Sequence, residues 1–233
     1  MNVDIEVVES PARACAAMLV GAAAGEGHVV LAGGSTPRAA YEEFVKTALA
    51  VELPLAQTTV WFGDERCVPP EDDRSNYKMV KEALLDPLGD AAPTRVHRMR
   101  GELGPEEAAA EYERVLREAG PPEFDLVLLG IGPDAHTLSL FPDQSTLSER
   151  SKLVVGVPEA GHEPFVPRVS FTLPALGLAR HVVFLISGAS KADAVAAAFG
   201  KDAKPDPHVP SSMVASHAKR VTVLLDPPAA ARL

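Results

Sequence analysis

Phe124-Asp-Leu-Val-Leu-Leu-Gly-Ile-Gly-Pro-Asp-Ala-His136 runs an apolar segment straight into a glycine loop that ends in an acid and an imidazole. Phe124–Leu129, apolar but for Asp125 near its start, has too few polar residues for a sheet with one wet face, and so predicts a strand buried on both sides. The neighbouring sequence repeats this theme. His28–Ala32, Thr58–Phe62, His181–Ile186 and Val221–Leu225 are short apolar runs, with Leu153–Val157 and Val169–Thr172 shorter still. Val3–Val8 alternates apolar and acidic residues, as a half-exposed edge strand would. Between the runs lie helical patterns: Pro11–Ala24, a helix from Ser35 or Thr36 as cap with Pro37 in its first turn, Ser75–Leu85, Pro105–Glu118 and Lys191–Phe199. Strands alternating with helices predict an α/β fold: a doubly wound, mostly parallel sheet with helices on both faces. In such sheets ligands bind beyond the carboxyl ends of the strands. The loops after Ala32, Phe62, Leu129 and Ile186 therefore matter most, with the segment around Arg168 added.

Composition narrows the function. At 233 residues the chain suits one large domain or two small ones. Its net charge of −10 lacks the basic face that nucleic acid or an anionic membrane demands. Only two cysteines, Cys15 and Cys67, rule out a disulfide scaffold and a four-cysteine zinc site. The stretch Met1–Ser10 carries no Lys or Arg, unlike a secretory or transit leader. The apolar runs Ala14–Gly25 and His181–Ser190 fall short of the roughly 20 residues that span a bilayer. A cytoplasmic setting is expected.

Three loops carry candidate chemistry. Gly33-Gly34-Ser35-Thr36-Pro37 offers free amides, two hydroxyls and a helix N-terminus, which suits an anion, most naturally phosphate. The same residues also suit a tight turn with a helix cap. Gly63-Asp64-Glu65-Arg66 sets two acids and a guanidinium at a strand end; the alternative is an exposed turn with a local ion pair. Gly130–His136 fits a G-x-G-x-x-G/A dinucleotide fingerprint, but Asp134 would repel a pyrophosphate and Pro133 removes an amide. It reads better as a pair: Asp134 orients one imidazole nitrogen of His136, and the other takes a proton from water. Arg168 and Lys191 add local positive charge. Asp64, Glu65, Asp134 and His136 have no metal-ligand spacing, so neither a metal nor a cofactor is expected. Cys67 beside Arg66 leaves open a thiol of lowered pKa.

Taken in order, these segments resemble the 6-phosphogluconolactonases. The resemblance rests on Leu31-Ala-Gly-Gly-Ser-Thr-Pro37, Trp61-Phe-Gly-Asp-Glu-Arg66 with Val68-Pro69 and Ser75-Asn76, Gly130–His136, Ser139-Leu-Phe-Pro142, Arg168, and Ser187-Gly188-x-x-Lys191. It covers nearly the whole chain and implies a Rossmann-like single domain over residues 1–233. It also implies hydrolysis of 6-phospho-D-glucono-1,5-lactone, with Gly34, Ser35, Arg168 and Lys191 on the phosphate, His136 as base and Arg66 at the sugar end. On this reading Gly33 and Thr36 belong to the phosphate loop, and Asp64 and Glu65 orient Arg66 or sugar hydroxyls. The partner is a small phosphorylated sugar lactone, and a monomer is compatible with the sequence.

The related glucosamine-6-phosphate deaminases carry a Glu shortly after the same histidine. Here Thr137, Leu138, Ser139, Leu140 and Phe141 follow, with no acid until Asp143, which favours hydrolysis over isomerisation. The alternatives are an isomerase or deaminase of that type and a non-catalytic sugar-phosphate sensor. Two positions depart from the family pattern: Ala135 and Asp143 stand where glycine is usual. If position 135 requires a positive φ, alanine is strained there by about 1 kcal/mol or more.

Overall fold

The apolar runs find each other because backbone groups stripped of water must pair. The computed structural model describes residues 3–119 and 123–233. Met1 and Asn2, where the expected domain and the acidic N-terminal stretch begin, lie outside the described residues. In chain order the strands are β1 (Val3–Val7), β2 (His28–Leu31), β3 (Thr59–Phe62), β4 (Asp64–Arg66), β5 (Arg95–His97), β6 (Leu126–Leu129), β7 (Val154–Val157), β8 (Arg168–Phe171), β9 (Val182–Ile186) and β10 (Val221–Leu225). Among the described residues, seven of them form one sheet in the order β1-β10-β9-β6-β2-β3-β5, and every pairing in it is parallel. Every residue of β3, β6, β9 and β10 is buried. Helices cover both faces of the sheet, as the alternation predicts. No helix among the described residues is long and apolar enough to cross a membrane.

Strand order reverses between β2 and β6. The chain leaves β2 towards β3 and β5, then returns to the other side of β2. The Gly33–Pro37 and Gly130–His136 loops leave these two neighbouring strands, so the topology brings them to one crevice.

Five local expectations change. Helix α1 is Pro11–Ala23, and Gly34, at φ 111°, is the N-cap of helix α2 (Ser35–Ala50), which has no side-chain cap. Ser35 and Thr36 lie inside its first turn, so their hydroxyls are not spent as caps. Asp64–Arg66 is a strand rather than a loop, and pairs with β8 in a second, antiparallel sheet of order β4-β8-β7. The helix expected over Ser75–Leu85 begins under a Ser75 cap at Asn76 but widens into a π-wound turn at Lys81–Leu85. The helix expected from Lys191 starts at Ala192, with Lys191 at its N-cap position. Edge strand β1 leaves Ile5 and Val7 exposed along with its acids, a more open edge than the half-exposed one expected.

Candidate active site

The crevice at the carboxyl ends of β2, β3, β6 and β9 holds a cavity of about 280 Å³, at the small end for ligand sites. Gly33, Gly34, Ser35, Thr36, Asp64, Arg66, His136, Arg168 and Lys191 all line it. Asp134 stands behind His136, and Glu65 is outside the lining.

The Gly130–His136 loop is built around the imidazole. Asp134 Oδ1 lies 2.5 Å from His136 Nδ1 and 3.2 Å from the His136 backbone nitrogen. A carboxylate only accepts, so Nδ1 carries the proton and Nε2 presents a lone pair. Burial works against ionisation of Asp134, but hydrogen bonds and charge from His136 outweigh it and hold the carboxyl below its ordinary value. Gly132 shows why this is no dinucleotide fingerprint. A Cβ there would stand 2.1 Å from His136 Nδ1 and 2.4 Å from Asp134 Oδ1. The glycine makes room for the Asp–His pair, not for a pyrophosphate.

Ala135 has φ 62°. The surroundings hold it there. Its carbonyl accepts from the Ser211 amide at 3.1 Å and the Ser211 hydroxyl at 2.8 Å. Leu138, another cavity-lining residue, has φ 55°. Strained backbone at two positions beside one cavity is typical of a functional site.

The positive charges sit in the same cavity. Arg168 is buried, and its guanidinium donates to the carbonyls of Val166 (3.1 Å), Pro164 (2.7 Å) and His162 (3.3 Å). These neutral partners fix the side chain without a direct ion pair. Burial lowers the pKa of Arg168, chiefly against the attraction of Asp64. Arg66 stands opposite Arg168 in the β4–β8 register and donates to the Arg74 carbonyl at 2.6 Å. Burial lowers the pKa of Lys191, with the Asp134 charge opposing. Together with the N-terminus of α2 these cations concentrate positive charge in one cavity of a chain of net charge −10.

Glu65 departs from its expected role. Its buried carboxylate accepts from the amides of Arg66 (2.7 Å), Asn76 (2.7 Å) and Tyr77 (2.8 Å) and from the Ser75 hydroxyl (3.0 Å). Burial raises its pKa against all four bonds. It anchors the start of the helix at Asn76, and touches neither the Arg66 guanidinium nor the cavity. Asp64 does face the cavity, with one oxygen accepting from Ser139 Oγ at 2.6 Å and the other from Asn76 Nδ2 at 3.1 Å, which fixes the carboxylate and leaves acceptor capacity on each oxygen. Cys67 also departs: burial and the Glu65 charge push its thiol up to about 11, with Arg168 opposing, so at neutral pH it is no thiolate. Among the described residues no group of three or more His, Cys, Asp and Glu converges as metal ligands would.

Three participants were not anticipated as part of the site. The Asn76 carboxamide is packed so closely on Gly33 that a Cβ there would come within 1.8 Å of Asn76 Oδ1. His162 and Glu163 also line the cavity. Serine 75 and Asn76 were visible as a motif, whereas His162 gave no local signal.

The family model for glucosamine-6-phosphate isomerases/6-phosphogluconolactonase matches residues 4–223. The chain belongs to this family. Among its relatives, 6-phosphogluconolactonase of Synechocystis is 39% identical over 188 residues, covering 78% of this chain and 75% of the relative. That of Mycobacterium tuberculosis is 38% identical over 222 residues, covering 91% and 87%. The solved structure of 6-phosphogluconolactonase from Trypanosoma cruzi superposes with a TM-score of 0.82 at 28% identity, covering 99% of this chain and 96% of that one. The two positions that depart from the family's usual glycine both lie in the left-handed region: Ala135 at φ 62° and Asp143 at φ 61°. An alanine and an aspartate here occupy backbone that glycine enters without strain.

Proposed function

We propose that this member of the family hydrolyses 6-phospho-D-glucono-1,5-lactone to 6-phospho-D-gluconate, with His136 as general base and no step assigned to a metal or cofactor. One observation carries the reading: an Asp-oriented imidazole with a free Nε2 shares a cavity with three cations and a helix N-terminus.

The phosphate binds to the amides and hydroxyls of Ser35 and Thr36, to Arg168 and to Lys191, with Gly33 and Gly34 allowing close approach. This remote binding energy sets C1 of the lactone against His136. His136 Nε2 takes a proton from water, and the water oxygen bonds to C1. Arg66 stabilises the resulting oxyanion. The intermediate collapses with cleavage of the bond from C1 to the ring oxygen, which takes the proton back from His136. Asp134 holds the ring and balances its transient positive charge. Asp64, held by Ser139 and Asn76, receives a sugar hydroxyl. A lactonase moves no C–H proton, which agrees with the absence of an acid between His136 and Asp143.

The proposal places the enzyme in the cytoplasm as a single domain acting on a small molecule, without nucleic acid or membrane. The unpaired thiols Cys15 and Cys67 fit a reducing compartment. Lactone disappearance, followed at low temperature and slightly acid pH with a coupled 6-phosphogluconate readout, tests the activity. After subtraction of the spontaneous rate, His136→Ala is expected to lower kcat about 10²–10⁴-fold with KM little changed. Ammonia release or aldose–ketose conversion without lactone hydrolysis would move the assignment to the deaminase branch.

A further inference from the structure

The mechanism above leaves a second imidazole in the crevice unused. The His162 ring centroid lies 5.4 Å from that of His136, with 46° between the planes. Two contacts build this placement in. Gly161 packs so tightly on Phe141 that a Cβ there would come within 3.0 Å of its side chain, and Phe141 in turn lies 4.8 Å from the His136 ring. On the other side, the carbonyls of His162, Pro164 and Val166 hold the Arg168 guanidinium. One short loop thus touches both the anion end and the imidazole end of the cavity.

The partners of each ring fix its tautomer. His162 Nδ1 is 3.0 Å from the Glu163 carbonyl oxygen, which only accepts, so Nδ1 carries the proton and Nε2 presents a lone pair. His136 has the same tautomer through Asp134. A water donating both its hydrogens at about 2.8 Å each, with tetrahedral geometry, spans about 4.6 Å between acceptors. Two rings whose centroids lie 5.4 Å apart are close enough for one water to reach an edge nitrogen of each.

We propose that His162 Nε2 is the second acceptor for the attacking water. His136 and His162 each take one hydrogen bond from it, which aims an oxygen lone pair at C1. The two rings are not equivalent. His136 has a carboxylate behind it and accepts the proton; His162 has a neutral carbonyl behind it and does not. The breaking O–H bond is the one to His136, the new bond joins the water oxygen to C1, and the proton passes from His136 to the departing ring oxygen. His162 begins and ends the cycle with the same proton. The inference rests on the lactonase reading.

Two substitutions test it. His162→Phe keeps a ring packed on His136 and removes the acceptor; His162→Gln keeps an acceptor. Losing one hydrogen bond to the nucleophile is expected to lower kcat of His162→Phe about 10-fold. KM and the inhibition constant of inorganic phosphate should stay at wild-type values, and His162→Gln should recover most of the loss. Unchanged kcat in His162→Phe would overturn the inference. So would equal losses in both variants together with weaker phosphate inhibition, which would mark the loop as purely structural. An inactive wild-type protein would sink the lactonase reading and this inference with it; an active wild type with an unimpaired His162→Phe sinks this inference alone.

Discussion

Replacing Asp134 with asparagine separates the two things its carboxylate does for His136. One oxygen, Oδ1, faces both the ring Nδ1 at 2.5 Å and the backbone nitrogen at 3.2 Å. An asparagine that keeps its oxygen in that place preserves both hydrogen bonds and therefore the tautomer. The opposite orientation would turn an NH2 group towards the His136 amide and forfeit that bond, so the oxygen-inward arrangement is preferred. What asparagine removes is the negative charge beside a ring that becomes positive in the transition state. A hydrogen bond to a charged partner contributes about 1–2 kcal/mol more than a neutral one. That difference corresponds to about a 5–30-fold fall in kcat. Inversion of the tautomer would instead cost about 10⁴-fold, as in the serine-protease triad. Initial rates from the coupled 6-phosphogluconate assay, with the spontaneous rate subtracted, distinguish these cases. KM should change little, because the proposed phosphate contacts at Ser35, Thr36, Arg168 and Lys191 are all retained. A wild-type kcat, or a fall near the tautomer limit, would refute the shared-oxygen reasoning.

Three other outcomes are expected. Gly132→Ala forces the Asp134–His136 pair to shift, and a misplacement of about 1 Å should cost kcat about 10²-fold, with circular dichroism showing a retained fold. Glu65→Gln leaves at least one buried donor without its acceptor and should destabilise the protein by about 1–3 kcal/mol in thermal or urea unfolding. Because Glu65 does not line the cavity, kcat of that folded variant should stay at the wild-type value. Glu149 accepts from the amides of Arg150, Ser151 and Lys152 and from the Ser151 hydroxyl, which lower its pKa from 4.5 to about 2. A folded value below the unfolded one means its stabilisation is complete above the unfolded value and is lost as pH falls towards 2. The difference in melting temperature between wild type and Glu149→Gln should therefore be full at neutral pH and shrink with acidification from about pH 5.

The parallel sheet is legible in the sequence because its strands bury both faces. Leu126–Leu129 is an unbroken apolar run, and Val221–Leu225 is interrupted only by Thr222, whose hydroxyl is met by His181 Nε2, so near-continuous apolar sequence identifies both. The loops that follow were legible through topology: once β2 and β6 are neighbours, Gly34 and His136 must meet. Strand β4 was not legible, because Asp64-Glu65-Arg66 has no strand propensity and pairs only because β8 lies alongside. Glu65 was misread for a related reason. An acid at a strand end suits substrate or structure equally, and the amides of Asn76 and Tyr77 that claim it arrive from a helix that starts eleven residues on. His162 sits in a loop of no periodicity, and its proximity to His136 depends on Gly161, Phe141 and the second sheet together. The family's glycine preference at 135 was informative, since the backbone there is indeed left-handed.

A crystal structure with 6-phosphogluconate bound bears most directly on the division of labour across the cavity. The phosphate should lie among the Ser35 and Thr36 amides, Arg168 and Lys191, and the C1 carboxylate should approach His136 Nε2. A product bound the other way round, or an imidazole at position 136 turned out of the cavity, would contradict it.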